Sequence, residues 1–339
     1  MGLLRYIGRR IIFLFFLIIG VSLMVFLISH TVPSDPVVAN LSQRNLDNPE
    51  MVAVFRAKWG LDKPLHQQYF IYVGNLLRGD LGTSIRTQRP VLKDLKKSFP
   101  ATIELAIFSM FVAILFGMLF GVISAIKRNS VTDQAVRAVS VIGVSVPSFW
   151  FGLMLLLIFY SWLGWAPGPG RLSPSLSAPP SVTGLYVMDA LLAGKWNVAW
   201  DAFKHLILPG IVLGSYTMGL ITRTTRSSLL EVLSLDYIRT ARAKGLNEKL
   251  VIVGHALGNA LIPVLTVIGL GFGNLLGGMV VVETVFAWQG IGQYAFQAAG
   301  NLDFPAIIGV SVLIAVNYAV INLIIDILYG VIDPRVRYR

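Results

Sequence analysis

Residues able to do chemistry are sparse in this sequence, and their spacing excludes most catalytic classes. There is no cysteine, and the four histidines are scattered at 30, 66, 205 and 255. Thiolate catalysis, disulfides and Cys-ligated metal are thereby excluded. No Gly-x-Ser-x-Gly elbow and no His-Glu-x-x-His pair occurs, nor a Gly-x-x-x-x-Gly-Lys-Ser/Thr loop to cradle nucleotide phosphates. The expectation is a chain that is not itself an enzyme and holds no cofactor. Any nucleotide hydrolysis that serves it falls to another protein.

Two groups of polar residues remain. The first is the stretch from Glu231 to Pro263, a basic, helix-patterned insert between apolar segments. Its core, Asp236, Tyr237, Ile238, Arg239, Thr240, Ala241, Arg242, Ala243 and Lys244, puts Arg239 and Arg242 three apart, on neighbouring positions of one helical face. Gly245 follows where a helix stop is expected. Such a helix is too polar to cross a bilayer, so it lies outside the lipid as a handle for a soluble partner.

The second group lies in or beside apolar runs. Glu104, Glu283 and Asp326 fall near the ends of such runs, and Ser140, Ser145, Asn274, Asn317 and Asn322 fall inside them. Ionisable groups at membrane depth are costly and so are functional candidates. The serines and asparagines, with Glu283, either line a hydrophilic pathway or bond across helices. No ionisable residue sits at mid-span, as a proton relay would require.

The elements that position these residues are apolar helices. Hydrophobic residues make up 55% of the 339 and charged ones 13%, about half the charge of a soluble domain. A helix needs roughly 20 apolar residues to cross the hydrocarbon core. Six runs qualify: Ile11 to Ser29, Leu105 to Ile126, Ala138 to Leu163, Leu206 to Thr222, Ala260 to Val282, and Ala306 to Ile325. The first follows Arg5, Arg9 and Arg10 and lacks a small-x-small cleavage site, so it reads as an uncleaved span. Pro147 inside the third is either a structural kink or a gate. The glycines of the fifth, from Gly269 to Gly278, allow close packing or a pathway lining.

Between the first two spans, residues 30 to 104 read as an external subdomain. Pro49 opens a helix that Gly60 ends, helical spacing recurs from Tyr69 to Leu77, and Gly79 to Gly82 form a turn. The proline-rich segment 164 to 202 reads as an irregular external loop. The whole is an all-α polytopic membrane protein with parts at 1 to 29, 30 to 104 and 105 to 339, the last including the loop 223 to 259.

The net charge of +11 reflects topology rather than nucleic acid, because the basic residues cluster at span ends. The connections 127 to 137 and 223 to 259 and both termini carry them, whereas the segment from Glu283 to Pro305 carries none. These clusters, and both termini, are expected on the cytoplasmic side.

The run Asp236-Tyr237-Ile238-Arg239-Thr240-Ala241-Arg242-Ala243-Lys244-Gly245-Leu246, with His255-Ala256-Leu257 and Asn259 to Pro263, resembles the signature loop of permease subunits in binding-protein-dependent ABC importers. The similarity is to the dipeptide, oligopeptide and nickel subfamily, B-type. It extends over Arg9-Arg10, Gly60 to Pro64, Gly79 to Gly82, Pro100 to Thr102, Pro147 to Trp150, and Asp333 to Arg335. Three positions depart from the pattern: Arg239-Thr240-Ala241 replaces Glu-Ala-Ala, Gly258 stands where an Arg is expected, and Trp288-Gln289-Gly290 replaces Trp-Pro-Gly.

The resemblance implies a type I ABC importer permease fold with six transmembrane helices in a bacterial inner membrane. It implies a second homologous permease subunit, two cytoplasmic ATPase subunits that carry ATP and Mg, and an external peptide-binding protein. Asp236, Tyr237, Arg239, Thr240, Ala241, Arg242, Lys244 and Gly245 would form the coupling helix and its turn. Cargo would be dipeptides or short oligopeptides, with nickel chelates or glutathione as alternatives. A proton-coupled transporter and a membrane scaffold are the rivals from other classes.

Overall fold

The computed structural model describes residues 12–13, 16–27, 37, 41 and 47–332. Arg5, Arg9, Arg10 and the segment 333–339 lie outside the described residues, as do the side chains of Asn274 and Asp326. In chain order the helices are α1 (Phe16–Leu27), α2 (Pro49–Trp59), α3 (Leu65–Leu77), α4 (Val91–Ile126), α5 (Val131–Ser145) and α6 (Ser148–Leu155). A π-helical stretch, Leu156–Trp162, continues α6. Then come α7 (Tyr186–Leu192), α8 (Trp196–Leu233), α9 (Asp236–Ala243), α10 (Leu257–Val285), α11 (Ile291–Gly300) and α12 (Phe304–Ile332). The turn Glu248–Leu250 and a second π-helical stretch, Val251–Ala256, lead into α10. Among the described residues there is no named strand, only an isolated bridge between Thr83 and Pro90.

Among the described residues, four helical segments are long and apolar enough to cross a membrane, and a fifth appears if α5 and α6 with its π-helical continuation are one span bent by 111°. The expected first span is represented by α1, whose described length is short of a crossing and whose flanks lie outside the described residues. The third expected span is broken rather than merely kinked. Val146, the residue before Pro147, is extended, as residues before a proline tend to be, so α5 ends at Ser145 and α6 restarts at Ser148 in a new direction. Residues 91–104, read as external from sequence, are the first turns of α4. The segment 164–202 is partly ordered, since it contains α7 and the start of α8.

The chain forms two compact units, residues 1–100 with 289–339, and residues 101–288. In the first, Val91 and Leu95 pack on Ile291, Tyr294 and Ala298 of α11 and on Ala306 and Val310 of α12. Asp303 accepts hydrogen bonds from the Ser84 hydroxyl and the Arg86 N–H while capping the N–H of Ala306, so one carboxylate both starts α12 and holds the preceding loop. Phe26 of α1 packs with Tyr69 of α3 and with Ile308 and Val312 of α12. The helix α2 is bounded as its sequence requires, with the Asn48 side chain accepting from the N–H groups of Glu50 and Met51 and with Gly60 in the left-handed conformation.

The second unit is built on α8 and α10. Its main core joins Leu105, Met110, Val212, Leu213, Leu275, Met279, Phe286 and Trp288. Helices approach closely because small residues sit at the crossings: a Cβ on Gly121 would lie 2.5 Å from the Cβ of Thr225. Trp288 is fully buried and donates its indole N–H to the Ala101 carbonyl at 2.8 Å.

Candidate functional site

The helix α9 is amphipathic over two turns. Ile238 and Ala241, three apart, are buried against Leu229, Val232, Val251, Ala256 and Ala260. Asp236, Tyr237, Arg239, Thr240, Arg242, Lys244 and Gly245 are exposed. Of the eight residues expected to form a contact surface, Ala241 is the one on the inner face. It supports the others from beneath.

The end of α9 is a Schellman cap. Gly245 N–H donates to the Arg242 carbonyl and Leu246 N–H to the Ala241 carbonyl, with Gly245 at φ 74°. Leu246 packs back onto the cluster that contains Ala241, the apolar contact that accompanies this motif. The cap thus closes the carbonyl end of a helix too short to be stable alone.

Side chains tie α9 to the turn at 248–250 and to the foot of α10. The Tyr237 hydroxyl accepts from Asn259 Nδ2 at 2.8 Å and approaches the His255 carbonyl at 3.4 Å. Arg242 makes a forked pair with Glu248, at 3.0 and 2.6 Å. Both members are about half exposed, so the pair sets geometry and contributes little stability, on the order of 0–1 kcal/mol. Arg239 lies 3.4 Å from Asp236 on the exposed face. The residues His255 and Asn259, which in the sequence are only part of a pattern, have a physical role here as the seat of Tyr237.

Several of the residues expected to line a pathway have partners close at hand. Ser140 and Ser145 line a cavity of about 320 Å³ between α5 and α8, together with Arg137, Thr222, Arg223 and Arg226. The Ser140 hydroxyl is spent on the Val136 carbonyl one turn back. Glu283 is fully buried and accepts a hydrogen bond from Thr102 at 2.6 Å. Asn317 bonds the Leu313 carbonyl of its own helix. Asn317 and Asn322 belong to the other unit.

Two buried ion pairs are not apparent in the sequence. Asp133, fully buried near the start of α5, receives both Arg226 Nε and Nη2 at 2.8 Å, the Ser124 hydroxyl and the Asn129 N–H. Glu104 receives Arg171 Nη2 at 2.6 Å and the Val187 N–H at 2.9 Å, while the Arg171 guanidinium lies 3.6 Å above the Tyr186 ring. No spacing rule links partners 93 or 67 residues apart. The available signal is the cost of an isolated charge in an apolar chain, which demands a partner without naming it. From the first turn of α7, Asp189 accepts the N–H groups of Val182, Thr183 and Gly184 in the preceding loop and the Thr183 hydroxyl. Burial acts to raise its pKa, but these hydrogen bonds outweigh burial and hold it below the usual aspartate value.

A family model described as "Binding-protein-dependent transport system inner membrane component" matches residues 117–338, and one for the N-terminal part of such membrane components matches residues 3–106. The chain belongs to that family, and it is an integral, multi-pass membrane permease subunit.

Its curated relatives include the dipeptide transport system permease protein of Alkalihalophilus pseudofirmus, 45% identical over 336 residues, 99% of this chain and 100% of that one. The probable D,D-dipeptide transport system permease protein of Escherichia coli is 46% identical over 317 residues, 94% and 93% of the two chains. The di/tripeptide transport system permease protein of Pseudomonas aeruginosa is 45% identical over 337 residues, 99% and 100%. Among solved structures, an inward-facing conformation of the MetNI methionine ABC transporter aligns with a TM-score of 0.49 at 18% identity, covering 69% of this chain and 93% of that one.

Proposed function

We propose that this chain is the permease subunit of an ATP-driven importer for dipeptides and short oligopeptides, working with a second homologous permease, two ATPase subunits and an external peptide-binding protein. The observation that carries the reading is 45–46% identity over nearly the full length of relatives named for dipeptide and di/tripeptide transport. Family membership does not favour the proton-coupled or scaffold alternatives.

Both termini and α9 lie on the cytoplasmic side on this reading, where Asp236, Tyr237, Arg239, Thr240, Arg242, Lys244 and Gly245 meet an ATPase groove and Ala241 backs them. Closure of the ATPase pair on ATP moves α9. Because Ile238 and Ala241 are packed on Val251, Ala256 and Ala260, the foot of α10 moves with it. The equilibrium between inward-open and outward-open forms then shifts by the difference in affinity of α9 for the two ATPase states. ATP and Mg reside on the ATPases.

The test is reconstitution of the complex in vesicles. ATP-dependent dipeptide uptake that requires the loaded binding protein, with this chain recovered together with ATPase subunits, is the expected result. Uptake that persists without ATP and collapses with the proton gradient would overturn the proposal.

A further inference from the structure

The break between α5 and α6 presents polar backbone in an otherwise apolar span. Pro147 occupies the N-cap position of α6 and offers no side-chain acceptor. The N–H groups of Ser148, Phe149 and Trp150 have no partner among the described residues. Such N–H groups carry the positive end of the helix dipole. At membrane depth, backbone left open in this way persists only where protein or a polar cavity covers it.

A cavity of about 360 Å³ lies at the break, lined by Ser148, Ser215, Tyr216 and Thr217 among others. That is far more than the ~10–15 Å³ needed by one water. Thr217 is only 1% exposed, and its hydroxyl has no partner among the described residues. By contrast, Thr222 on the same helix bonds the Met218 carbonyl one turn back, and Ser215 bonds the Val212 carbonyl. No lining residue is charged, so the field in the cavity comes from the two helix ends at the break, the carbonyl end of α5 beside Gly143 and Val146 and the N–H end of α6 at Ser148. An unspent buried hydroxyl and an uncapped helix start therefore open on one neutral cavity.

We infer that this break is a transit site that receives the C-terminal carboxylate of the cargo peptide, an inference that rests on the peptide-import reading. The carboxylate accepts from the first N–H groups of α6, as anions do at helix starts, and from the hydroxyls of Ser148 and Thr217. Every linear peptide with a free C-terminus carries this group whatever its side chains. A site that reads only the carboxylate passes many sequences, and discontinuous helices in transporters are suited to this use.

The experiment uses the reconstituted complex with its binding protein and measures ATP-dependent uptake of alanyl-alanine. Ser148→Asp puts a fixed carboxylate at the first position of α6, where the helix tolerates it, and Ser148→Asn is its neutral isostere. Uptake is expected to be about tenfold lower in the Asp variant than in the Asn variant, with equal complex yield and equal affinity of the binding protein for peptide. Equal uptake by the two overturns the inference and leaves the break to water or to packing. Should Ser148→Asp fail to assemble, Thr217→Val is compared with Thr217→Ser, and equal uptake there has the same meaning. A wild-type complex without ATP-dependent uptake would instead overturn the importer reading itself.

Discussion

At the scale of single residues, Gly245 is the position where backbone conformation decides the site. Its φ of 74° lies in the left-handed region, and no atom would crowd an added Cβ, so strain alone would act on a substitution. Gly245→Val is expected to cost about 1–2 kcal/mol locally and to uncouple ATP hydrolysis from uptake while sparing membrane insertion; unchanged uptake per ATP would count against α9 as the coupling helix. Tyr237→Phe removes the link to Asn259 and should loosen α9 by about 1 kcal/mol, visible as faster amide exchange over 236–245 with little change elsewhere. At Asp189 the sign of the pH effect follows from a lowered folded-state pKa. Its stabilisation is complete at neutral pH and fades as the pH falls through the ordinary value of 3.8 towards the depressed one. Protease sensitivity of the 181–185 loop should therefore rise in acid, and Asp189→Asn should show it already at neutral pH. The glycine was legible in the sequence because turn chemistry is local. Tyr237's partners 18 and 22 residues on were not.

Between elements, the Asp133–Arg226 pair joins α5 to α8. Removing Arg226 strips the fully buried Asp133 carboxylate of its forked partner and leaves it the Ser124 hydroxyl, the Asn129 N–H and Arg137 at 3.6 Å, so Arg226→Ala should lower stability by about 3 kcal/mol. Adding Asp133→Asn should recover part of that loss, and thermal unfolding of the two variants in detergent would check it. Apolar runs revealed most of the helices because length and hydropathy are properties of a contiguous segment. They revealed neither the break at Pro147 as a change of direction nor the assignment of residues 91–104 to α4. In those places the outcome depends on what packs alongside, as Val91 and Leu95 do on α11 and α12. The polar residues were found as types, but Ser140 and Asn317 bond within their own helices. The inward face at Thr217 was missed because its threonine looks like any other in a helix.

For the molecule as a whole, topology is directly testable because the chain contains no cysteine. Single cysteines at the exposed positions Ser177 and Ser234 should react with a membrane-impermeant maleimide from opposite sides of the bilayer, Ser177→Cys from outside and Ser234→Cys from inside. Labelling of Ser234→Cys from outside would overturn the placement of α9 in the cytoplasm. The division of α9 into a buried pair, Ile238 and Ala241, and an exposed charged set has a further consequence for ancestry. The pair answers to this chain's own core, whereas the exposed set, on the importer reading, answers to another gene product. Arg239, Thr240 and Lys244 can therefore drift in step with a diverging ATPase while the fold stays the same, so that duplicated transporters could acquire separate motors without redesign of the membrane part.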